Sequence, residues 1–74
     1  MPAQEILKYL RQAPFLAFRI YLSNGAVHDV RHPELVILGR GILSLHFPPT
    51  GLSPGISERT YSVSLIHVVQ LELI

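Results

Sequence analysis

The chain has no cysteine among its 74 residues, so it forms no disulfide and no zinc–thiolate centre. Lysine is nearly absent too: Lys8 stands alone beside five arginines, against five acids, for a net charge of +1. That balance lacks the clustered basic excess of a nucleic-acid-binding domain. Charged residues make up 15% of the chain, where soluble domains average about 25%. Long apolar runs are missing as well. None reaches the roughly 20 residues that span a bilayer. Glu5, Lys8 and Arg11 punctuate the stretch where a secretory hydrophobic region would lie. These absences predict a soluble, cytoplasmic protein, and the lack of thiols suits a reducing compartment.

What is present is apolar. Hydrophobic residues make up 49% of the chain and mean hydropathy is +0.37. A domain this small buries only about 60% of the surface its unfolded chain exposes. Small domains compensate with disulfides, a metal or partners. Without cysteine, a homo-oligomer is the expected remedy.

The apolar residues are patterned. Pro2 to Gln12 reads as a helix with Ile6, Leu7 and Leu10 on one stripe. Pro2 suits its first turn, and Pro14 forces Ala13 out of helical geometry. Phe15 to Leu22 reads as a strand with Phe18, Ile20 and Leu22 on one face. Ser23-Asn24-Gly25 is a hairpin turn. A two-residue turn would set Asp29 and Arg31 beside Ile20 and Phe18. A three-residue turn with Gly25 left-handed aligns Ile20 with His28 and Phe18 with Val30, which keeps charge off the buried face.

The second strand, Ala26 to Arg31, ends at His32-Pro33, because proline breaks the ladder. Leu35 to Leu38 is a third strand, apolar on both faces. After Gly39-Arg40-Gly41 comes a fourth, Ile42 to Phe47, with Leu43, Leu45 and Phe47 on one face. Pro48 to Glu58 reads as the loop, binding or mobile, with three prolines and two glycines. Thr60 to Ile74 alternates as a strand, with Tyr61, Val63, Leu65, Val69, Leu71 and Leu73 on its apolar face. Ile66 and Val68 lie on the other. This segment is long for one strand, and Ser64 to His67 is where it would bend or break. An apolar pair on the second face predicts that a neighbour covers it. Ile66, Val68, Val69 and Leu71 are the expected oligomer interface.

A helix, four or five short strands and a break before the last strand is the element order of Sm-like small barrels. Ile20-Tyr21-Leu22-Ser23-Asn24-Gly25 resembles the first hairpin of the bacterial Sm-like RNA chaperones of the Hfq type. Leu35-Val36-Ile37-Leu38 is similar to their third strand, and Leu65-Ile66-His67-Val68-Val69 to their closing turn and last strand. These stretches total 15 of the 74 residues. Pro14-Phe15, Phe18-Arg19 and Val30-Arg31-His32-Pro33-Glu34 also resemble small bacterial proteins of unknown function. The chain reads as one domain over residues 1–74, mainly β with an N-terminal α-helix. Its helix spans 2–12, its loop 48–58, and residues 15–47 and 60–74 form a strongly bent antiparallel sheet or barrel of five to six strands, Sm-like or SH3-like. The resemblance implies assembly into a ring through paired edge strands. It does not carry uridine or adenine recognition. The polar–aromatic pair ahead of the third strand is Glu34-Leu35 here, and the lysine–histidine pair between the last strands is replaced within Tyr61-Ser62-Val63-Ser64.

No catalytic motif appears. His28 and His32 are about 13 Å apart on a strand, too far to share a metal ion. The four histidines, His46 and His67 included, read first as imidazoles bonded to a neighbour. No carboxylate pair, nucleophile elbow or phosphate loop is present, so neither an enzyme, a cofactor nor a small-molecule substrate is expected. Single-stranded RNA remains a candidate partner, through Arg31, His32 and Arg40 as a basic rim and Tyr21 as a stacking face. The opposing expectation is an SH3-like protein-interaction or assembly module with no nucleic-acid role, which a single lysine favours.

Overall fold

The computed structural model describes residues 1–47 and 59–74; the expected loop at 48–58 lies outside them. The elements are helix α1 (Ala3–Leu10) and strands β1 (Phe18–Leu22), β2 (Val27–Val30), β3 (Val36–Leu38), β4 (Ile42–Phe47), β5 (Arg59–Ser64) and β6 (Val68–Leu73). Short 3-10 turns at Pro33–Leu35 and Leu65–His67 lead into β3 and β6. All ladders are antiparallel. They form two three-stranded sheets, ordered β2-β1-β6 and β3-β4-β5, and among the described residues no ladder closes them into a barrel.

The first hairpin adopts the three-residue turn. Phe18 pairs with Val30 and Ile20 with His28. The Leu22 amide donates to the Ala26 carbonyl at 2.9 Å, and Gly25 takes φ +88°. Ala26 N–H donates to Asn24 Oδ1 at 2.9 Å, which locks the turn from inside.

The inner faces of the two sheets share one core. Phe18, Ile20 and Val30 from the first sheet and Leu43 and Leu45 from the second are fully buried. The helix adds Ile6, also fully buried, and Tyr9 packs its ring 5.2 Å from Phe18. The helix is shorter than 2–12, ending at Leu10 ahead of a cis Ala13–Pro14 bond.

The closing segment departs from a single alternation. It breaks where expected, but the 3-10 turn at 65–67 shifts the alternation at Val68 and Val69 only, since Leu71 and Leu73 still stand opposite the buried Ile20 and Phe18. Leu65 and Val68, three apart, both enter the core, while Val69 turns outward at 58% exposure. The expectation that Val69 lies on the buried face with Val63 and Leu65, and Val68 on the other, is therefore corrected. A further irregularity follows in the β1–β6 ladder, where Tyr21 pairs with Gln70 but Leu22 with Val68, leaving Val69 in a bulge.

Candidate functional site

Alternation places Arg19, Tyr21, Asp29, Gln70 and Glu72 on the outer face of the first sheet, opposite the buried set. Arg19 sits between two carboxylates, paired with Asp29 on β2 and Glu72 on β6. Its Nε donates to Asp29 Oδ1 at 2.7 Å and its Nη1 lies 4.0 Å from Glu72 Oε1. The hydrogen bond from Arg19 holds the Asp29 carboxyl below its ordinary value, against the opposing effect of burial. The same bond, with help from Tyr21, holds the guanidinium's proton more firmly than usual.

The four residues expected to meet RNA are dispersed in role. Tyr21 donates its hydroxyl to Glu72 at 2.7 Å. Arg31, just past β2, lies 3.4 Å from Asp29 Oδ2. His32 precedes the 3-10 turn at Pro33 and Arg40 lies in the Gly39–Gly41 turn; both are exposed. No ion pair or side-chain hydrogen bond among the described residues joins them into a rim.

The residues expected at an oligomer interface divide more sharply. Ile66 is the most exposed large apolar side chain among the described residues, at 78%. Val69 is exposed, Leu71 is half-buried against the core, and Val68 is core itself. Among the described residues β6 pairs with β1 alone and β5 with β4 alone, so no described strand covers the other edge of either.

Two arrangements were not legible in the chain. His28 of β2 packs 4.9 Å from Tyr61 and 5.8 Å from Phe47, so an aromatic cluster bridges the two sheets. His67 places Nδ1 3.0 Å from the Ser23 hydroxyl, and its carbonyl accepts from the Ser23 amide at 2.8 Å. Residues 44 apart are thereby tied, and the hairpin turn is fastened to the start of β6. Among the described residues no group of three or more potential ligands is placed to hold a metal ion, and no helix is long and apolar enough to cross a membrane.

Compared with known proteins, the chain matches no family model, no curated protein and no solved structure.

Proposed function

We propose that this chain is a non-catalytic assembly module, an Sm-like small barrel whose copies join through the open edges of its sheets. One observation carries this reading: β6 is an edge strand flanked by exposed apolar side chains. Ile66, Val69, Leu73 and Ile74 are each at least 47% exposed within nine residues of chain. Edge strands that stay solitary are blunted by charge, proline or a covering element. The one charge on β6, Glu72, is already engaged by Tyr21 and Arg19. Pairing two such edges between copies would satisfy backbone donors and acceptors while covering the apolar side chains.

Weak RNA binding gains less support. Tyr21 and Arg31, two of its four candidate contacts, are bonded to carboxylates that repel phosphate. Light scattering gives the mass in solution, and absorbance at 260 nm on the same peak reports bound nucleic acid. The proposal expects a multiple of 8.3 kDa with the absorbance ratio of protein alone. A particle of one chain at high concentration overturns it. Nucleic acid on the oligomer peak would restore the RNA reading instead.

A further inference from the structure

Where the first hairpin meets β5 and the turn before β6, the two sheets leave a crevice of about 290 Å³. Its floor is apolar, made by Leu22 and Val63. Its polar lining is made by Ser23, Asn24 and His67 together with Ser62 and Ser64 of β5. No carboxylate, lysine or arginine lines it.

The hydrogen-bonding capacity left in this wall is biased toward donation. Asn24 has its oxygen occupied, because Ala26 N–H donates to Oδ1 at 2.9 Å. What remains is the Nδ2 amino group, which can only donate. His67 has Nδ1 3.0 Å from the Ser23 hydroxyl. With that hydroxyl donating to Nδ1, the ring hydrogen sits on Nε2 as a second free donor. Ser62 and Ser64 border the crevice along β5, with their side chains on the face of that strand opposite Val63. No carboxylate stands in the wall to repel negative charge. No lysine or arginine stands there to neutralise a doubly charged phosphate, so neutral donors over an apolar floor suit a single negative charge on a small apolar body.

We propose that this crevice binds a small organic monocarboxylate, its oxygens on the Asn24 amino group and the His67 ring and its apolar part against Leu22 and Val63. The site does not rest on the assembly reading, since one copy supplies every wall.

The probe is benzoate, titrated against the full chain with the Asn24 side-chain amide and His67 ring signals followed by NMR. The expected result is a saturable shift of both sets of signals. Benzyl alcohol, which keeps the ring and lacks the carboxylate, is expected to leave them in place. Asn24→Asp retains the acceptor for Ala26 N–H and replaces the donor with a negative oxygen. Ser62→Asp places a negative charge at the border of the crevice from an exposed position. Each is expected to weaken benzoate roughly tenfold or more, Asn24→Asp through a lost charge-assisted hydrogen bond and both through like-charge repulsion. No saturable shift, an equal response to benzyl alcohol, tighter binding of inorganic phosphate, or unchanged benzoate affinity in both variants overturns the proposal.

Discussion

Arg19 and Asp29 stand opposite one another in the β1–β2 ladder, and the guanidinium donates to the carboxylate across 2.7 Å. Arg31 reaches the same carboxylate at 3.4 Å, so one acid serves two cations. The outer face of this sheet is a neutralised network rather than a field. Its electrostatics hold strands together locally and project little outward.

Asp29→Asn removes the acceptor charge of that network and leaves two arginines side by side. The pair is partly exposed, so the loss in melting temperature is modest at neutral pH. The acid limb is more telling. The Asp29 carboxyl has its affinity for protons depressed in the folded state, chiefly by the Arg19 hydrogen bond. Its stabilising contribution is therefore complete above the unfolded-state value, near 3.9, and is lost as pH falls through the lower folded value. Thermal melts between roughly pH 5 and pH 2 should fall less steeply for the variant than for the parent. Parallel limbs would show that this pair contributes nothing to folding.

Gly25 sits at φ +88° with open space where a Cβ would go. The cost of a side chain there is therefore backbone strain and not collision. Gly25→Val is expected to destabilise by about 1–3 kcal/mol, because a β-branched residue resists positive φ. Gly25→Asn, which tolerates the left-handed region, should cost clearly less. Chemical denaturation of both variants separates the two explanations, and equal losses would assign the effect to crowding.

Leu43 and Leu45 are fully buried and bring the second sheet's inner face to the core. Truncating either to alanine is expected to cost about 2–5 kcal/mol, a large share of the stability of a small domain. Ile66→Ser, at the most exposed apolar position, should stay within roughly 0.5 kcal/mol if the chain is a monomer under the conditions of the melt. A larger loss that grows with protein concentration would place Ile66 in an intermolecular contact.

How far the chain was readable depends on how local each decision was. The Asn24-Gly25 turn could be settled because only one register kept Asp29 and Arg31 away from Phe18 and Ile20, and that register is the one formed. β4 was readable because Leu43 and Leu45 alternate without interruption, and its span is as expected. The 3-10 turn at Leu65–His67 was readable only as a break. Its consequence, Leu65 and Val68 both facing inward, needs the turn's geometry, which an alternation count does not contain. The partners of Tyr21 and Ser23 lie 51 and 44 residues away, so no local pattern could assign them. Resemblance to small barrels matched the element order, while the observed ladders define two three-stranded sheets.

Val68 and Val69 offer the sharpest test, because neighbours of one chemical type have opposite surroundings. Val68 is 3% exposed and Val69 is 58% exposed. Val68→Asp buries an unpaired carboxylate in the core and is expected to abolish folding, seen as loss of the cooperative melt. Val69→Asp leaves the core untouched and should fold with a circular dichroism spectrum like the parent's. Its charge stands at the β6 bulge, so the mass by light scattering should drop toward a single chain if copies meet at this edge. A folded Val69→Asp that keeps the parent's mass would move the interface away from β6. A folded Val68→Asp would instead show that the parity after the 3-10 turn has been assigned the wrong way round.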